Sequence, residues 1–139
     1  MQLLLCKVCE YAFQNQNGRH SMVGLFENIV LPQVGVDHPP FFVCLQLEFD
    51  PDEQDQPLDL EVVMIDPDGK RMLDFNAEGM IPRDSAGGIT RLFLQFYVPK
   101  VRFEVLGDYR FDILVGGKPI GSERVPVLVA NQQPPGAMG

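Results

Sequence analysis

The 139-residue chain is 45% hydrophobic and 22% charged, enough for one domain with its own core and too apolar for a disordered protein. Its 11 basic and 19 acidic residues give a formal net charge of −8. Arg71, Arg83, Arg91, Arg102, Arg110 and Arg124 stand singly, which argues against the basic face that nucleic acid or an anionic membrane requires.

At the N-terminus Leu3, Leu4, Leu5 and Cys6 form an apolar run that Lys7 closes. That is too short for a signal-peptide core of about 7–15 residues or a span of about 20, so the expected location is the cytoplasm, without membrane contact. Three cysteines, an odd number, argue against a disulfide framework.

Leu3 to Phe13 reads as a strand, and Asn17-Gly18 supplies hairpin chemistry leading to a return strand over His20 to Val30. Pro32, Gly35, Pro39 and Pro40 mark a loop. Phe41, Val43, Leu45, Leu47 and Phe49 alternate on one face, as do Leu58, Leu60, Val62 and Met64 after the acidic loop Asp50 to Pro57. Asp66-Pro67-Asp68-Gly69 is a turn, with proline presetting φ and glycine taking the positive value. A short strand follows over Arg71 to Phe75, then an irregular stretch, Asn76 to Gly88.

Leu92, Leu94, Phe96 and Val98 alternate again, and so do Tyr109, Phe111, Ile113 and Val115. Gly116-Gly117 turns the chain into a last strand, Lys118 to Val129. Pro119 and Pro126 cannot donate to a ladder and place that strand at a sheet edge. The expected fold is all-β: a single antiparallel β-sandwich of 7–8 strands over residues 1–130, with 131–139 as a C-terminal tail. A closed barrel is the rival architecture.

Tyr109 follows the Gly107 turn and precedes Phe111 by two residues, resembling the tyrosine corner of immunoglobulin-like domains with phenylalanine at the cysteine position. Cys9-Glu10-Tyr11-Ala12-Phe13, Asn17-Gly18 and Val23 to Ile29 resemble the opening of a family of small uncharacterised bacterial proteins. Asp66 to Lys70 and Gly107 to Phe111 fit its later parts. The resemblance covers about Cys6 to Val129 and implies a compact immunoglobulin-like or C2-like sandwich. It transfers no catalytic residues.

No motif specifies a reaction. Cys6-x-x-Cys9 is the one formal match to a redox or metal motif, but on a strand i and i+3 face opposite ways, and two thiols are half a structural zinc set. Cys44 and His38 have no spacing that completes it. Asp50, Asp52, Glu53 and Asp55 invite calcium, which wants about 6–8 oxygens from more than one loop. Asp66 and Asp68 lie at the far end of the intervening strand, so only Glu78 and Asp84 could join. Ser21, Ser85, Ser122, Thr90, His20 and His38 show no nucleophile elbow or metal-binding histidine pair. The expectation is no metal, no cofactor and no enzymatic activity.

What is left is binding, through a protein partner or as a homo-oligomer. Alternatives are a small-molecule or carbohydrate-binding domain, or a hydrolase with an unfamiliar carboxylate site. If the alternating sets point inward, Phe42, Cys44, Val63, Ile65, Phe93, Tyr97 and Leu114 point outward, where a solvated face reads polar. Phe42, Phe93, Tyr97 and Leu114 are the candidate partner surface.

Overall fold

A computed structural model of the chain describes residues 1–130. In chain order the strands are β1 (Gln2–Gln14), β2 (His20–Leu25), β3 (Ile29–Leu31), β4 (Asp37–His38), β5 (Phe41–Phe49) and β6 (Pro57–Ile65). They continue as β7 (Arg71–Met80), β8 (Thr90–Val98), β9 (Val101–Arg102), β10 (Gly107–Val115) and β11 (Lys118–Val129). One sheet has the order β2-β1-β5-β8 and the other β3-β11-β10-β6-β7, while β4 and β9 form a separate small pair. No ladder joins the two large sheets among the described residues, so the architecture is the sandwich and not the closed barrel. The tail assigned to 131–139 lies outside the described residues.

The period-two patterns build the core. Phe41, Val43, Leu45, Leu47 and Phe49 of β5 are fully buried against Leu58, Leu60, Val62 and Met64 of β6 and Tyr109, Phe111 and Ile113 of β10. Phe41 and Phe111 meet edge to face across the sandwich, with ring centroids 6.3 Å apart. At that end of the core His38 packs edge-on against Phe26, Phe41 and Phe103. Its Nδ1 lies 2.7 Å from the Pro39 carbonyl, which can only accept, so the proton sits on Nδ1.

The Tyr109 hydroxyl donates to the Val105 carbonyl at 2.6 Å, closing a tyrosine corner at the start of β10. Burial pushes the phenol pKa up, against the lowering effect of that hydrogen bond.

Four sequence expectations need correction. The return strand over His20 to Val30 ends at Leu25, one residue past Gly24 with its φ of +70°, and a second strand, β3, crosses to the other sheet beside β11. The irregular stretch begins later than Asn76, because β7 runs to Met80 with Phe75 and Ala77 still packing on the core. Asn76 and Gly79 carry turn chemistry, yet a strand with one solvated face tolerates them there. The last strand is not wholly an edge, since β3 pairs with its end, Val127 to Val129. Its prolines precede that ladder and have no partner on that side, so their missing N–H groups cost no hydrogen bond there. Finally, the two sheets hold nine strands, not seven or eight.

Candidate functional site

The outer face of the first sheet is built by a strand that leaves its own ladder. β1 pairs with β5 from Gln2 to Cys9 and with β2 from Cys9 to Gln14. Beyond Cys9 the β1–β2 hairpin lies over the outside of β5 and β8. Ala12 and Met22 pack on Cys44, His20 stacks on Phe93 with centroids 4.2 Å apart, and Gln95 Nε2 reaches the Ala12 carbonyl at 3.5 Å. Phe93, a candidate for the free surface, is therefore partly covered by a hairpin of the same chain.

The hairpin also seals two thiols. Cys6 points into the main core, while Cys9 points the opposite way and sits 3.9 Å, sulfur to sulfur, from Cys44. The strand alternation separates the two cysteines of the Cys-x-x-Cys motif as expected, but the Cys9–Cys44 approach was not legible, because it depends on the β1–β5 register. Burial pushes the Cys6 and Cys44 thiols up to about 12 and raises Cys9 as well. Thiols held protonated are poor nucleophiles and poor metal ligands.

From the hairpin to the β8 edge runs an aromatic stripe. Tyr97 on β8 and Phe42 on β5 are opposite neighbours, with ring centroids 5.6 Å apart. Phe42 meets Tyr11 at 5.8 Å, and Tyr11 meets Phe13 at 5.7 Å. Tyr11 and Tyr97 are each 56% exposed and Phe13 39%, while Val23 and Leu25 of β2 are exposed beside them. At about 150–250 Å² per aromatic side chain, these residues expose on the order of 400 Å², the size of the largest apolar patch on a typical monomer. Of the four surface candidates, Phe42 and Tyr97 belong to this stripe. Leu114 does not: it lies on the outer face of the second sheet, in a shallow depression with Val63, Ile65, Arg71 and Asp112.

The acidic loop is organised by its own backbone. The oxygens of Asp50, Asp52 and Glu53 lie within 4.8 Å of one another, the one such cluster among the described residues. Glu53 Oε1, however, already accepts from the Asp50 N–H at 2.9 Å and from the Met1 ammonium at 2.7 Å, which hold its carboxyl below the usual range. Asp55 pairs with Arg83.

Asp84 does reach this end of the sandwich: Gln54 accepts from its N–H at 2.9 Å and donates to Gly88 at 2.7 Å. The Asp84 carboxylate turns back to accept from the Gly88 N–H, so the contact fastens two loops without adding a ligand. Asp66 accepts from the Asp68 and Lys70 N–H groups in its own turn. Ser122 donates to Asp112 at 2.9 Å. A groove of about 490 Å³ at the tyrosine corner is lined by charges of both signs, among them Asp66, Lys70, Arg102 and Glu104. Arg102 there is held by Asp37.

The strand order defines the class. β1, β5 and β8 in one sheet and β6, β10 and β11 in the other follow the arrangement of an immunoglobulin-like sandwich, with β7 added beside β6 and the tyrosine corner on β10. Within that class the chain belongs to the family of unknown function DUF6941, whose profile matches residues 4–129. No curated protein sequence matches it.

Among solved structures it is similar to the Pseudomonas fluorescens alkylpurine DNA glycosylase AlkC bound to DNA containing an abasic site analogue. The identity is 13%, the TM-score 0.46, and the match covers 88% of this chain and 30% of that one. It therefore spans under a third of that protein's length. It is also similar to an immunoglobulin-like protein (PA1606) from Pseudomonas aeruginosa, at 17% identity and a TM-score of 0.34 over 86% of this chain and 90% of that one. No helix among the described residues is long and apolar enough to cross a membrane.

Proposed function

We propose that this is a non-catalytic protein-interaction module that binds a protein through the outer face of its first sheet. The observation that carries the proposal is the stripe Tyr97–Phe42–Tyr11–Phe13, continuous across three elements and left exposed beside Val23 and Leu25. Aromatic residues at the centre of a patch, with charge displaced to its rim, are the composition of protein contact surfaces. A sugar or small ligand would want convergent hydrogen-bonding groups in a concavity, whereas Val23 and Leu25 beside the stripe are apolar and the Gln95 amide next to Tyr97 is turned to the Ala12 carbonyl. The three unpaired, buried thiols suit a reducing compartment, so the setting we propose is the bacterial cytoplasm.

The three tyrosines allow a direct test, because Tyr11 and Tyr97 are exposed while Tyr109 is buried. Hydroxyl-radical footprinting of the dilute purified chain is expected to oxidise the first two and spare the third. In cells that make the protein naturally, Tyr11 and Tyr97 are expected to be protected as well. Equal oxidation in both settings contradicts the proposal. So does protection reproduced by adding only the low-mass, protein-free fraction of those cells.

A further inference from the structure

We propose that two copies of the chain pair antiparallel along the free edges of β8, joining their first sheets into one eight-stranded sheet. This rests on the protein-interaction reading above and names a second copy as one partner, met where the stripe reaches the sheet edge at Tyr97.

An edge strand presents unpaired N–H and C=O groups, and proteins ordinarily blunt such edges with shortness, charge, proline, glycine or a bulge. Three of the four edges here are blunted. β3 has three residues, β2 has six and is kinked at Gly24, and β7 carries Arg71, Asp74, Glu78 and Gly79. β8 is different. Its nine residues contain no proline and no glycine, and Arg91 is the one charge. Its register with β5 runs without a shift from Phe41↔Val98 to Phe49↔Thr90. No strand lies on its other side among the described residues.

Geometry selects the register. Directly opposed residues in an antiparallel pair point to the same face, so a two-fold axis normal to the sheet pairs residues whose numbers share parity. The register that uses the whole strand sets Thr90 against Val98 and Leu94 against Leu94 of the second copy. It keeps the inward set Leu92, Leu94 and Phe96 facing inward in both copies. It also sets Arg91, held 3.0 Å from Glu48, opposite Tyr97 of the second copy, where a guanidinium meets a ring. The two Arg91 side chains then stand at opposite ends of the interface, as do the two acidic loops, each of which follows Phe49 beside Thr90, so like charge is kept apart, and the stripe carries no charge. Because Tyr97 ends the stripe at this edge, pairing seats the end of each stripe against Arg91 of the second copy.

Light scattering of the intact chain at rising concentration, with the variants Tyr97→Lys and Tyr97→Glu, tests the pairing. Both variants lose the ring equally, but the ammonium opposes Arg91 of the second copy and the carboxylate attracts it. The expected result is a wild-type dimer whose Kd rises roughly tenfold more for Tyr97→Lys than for Tyr97→Glu, since each dimer holds two such pairs. A second measurement needs no substitution: on dimerisation, β8 amides are expected to gain protection from hydrogen exchange while those of β7 do not.

A wild-type monomer at every concentration overturns the edge pairing and leaves the interaction reading to its own footprinting test. Equal weakening by both variants, or a dimer in which β8 gains no protection, also overturns it and moves the contact to the sheet face.

Discussion

Phe111→Ala is expected to lower stability by about 3–5 kcal/mol, against about 5–15 for a whole domain. The ring is fully buried, it meets Phe41 across the sandwich, and it stands where antibody domains carry half of their inter-sheet disulfide. The chain thus joins its sheets at this point by packing alone, and removing the ring leaves a cavity that both sheets would have to close. Urea denaturation followed by circular dichroism measures the loss as a fall in midpoint with the slope unchanged. Leu114→Ala, on the half-buried outer face of the second sheet, serves as the comparison and is expected to cost far less. Equal losses at the two positions would refute this assignment of the core.

The second large effect is alkaline destabilisation through the thiols. Cys6 and Cys44 are raised from 9.0 to about 12 by burial, with Glu123 adding to the first and Cys9 to the second. The folded chain therefore keeps protons that the unfolded chain releases. Stability is complete below about pH 9 and falls as the pH climbs toward 12, by up to about 1.4 kcal/mol per pH unit for each thiol. Melting temperatures are expected to stay level up to the unperturbed thiol pKa and then to drop steeply. Cys44→Ala should melt lower at neutral pH, because it loses packing beneath the hairpin, yet decline less steeply above pH 9. Ionisation of lysine and tyrosine is common to both chains and cancels in the comparison. Parallel alkaline profiles would show that Cys44 is not held as a buried neutral thiol.

Much of this architecture was legible in the residues. Phe41 to Phe49 alternates so cleanly that the strand boundaries agree with β5, and Gly116-Gly117 with the run to Val129 gives β11 in full. Leu106 to Phe111 carried the tyrosine corner, because that motif is local: the hydroxyl reaches only four residues back. Alternation also assigned Phe42, Cys44, Phe93 and Tyr97 to an outward face.

What alternation cannot supply is what covers that face. The hairpin over Cys44 and Phe93 follows from β1 being longer than the part of it that β5 can pair, a tertiary fact with no local signature. The Phe42–Tyr97 neighbourhood depends on the register of strands about fifty residues apart, and Leu114 looked equivalent to Phe93 until each was assigned to its sheet. The two-residue pair β4–β9 is likewise too short for any periodic pattern to mark.

The claim that the outer face of the first sheet is a protein-binding surface is tested most directly by site-specific photo-crosslinking in cells that make the protein naturally. A photoreactive residue is placed at Tyr11, on the stripe, and in a separate chain at Glu61, on the outer face of the second sheet. The account expects one discrete adduct from Tyr11, heavier than the chain by the mass of a protein, which disappears when Tyr97→Asp is added. It expects none from Glu61. No protein adduct at Tyr11, or matching adducts from both faces, would contradict it.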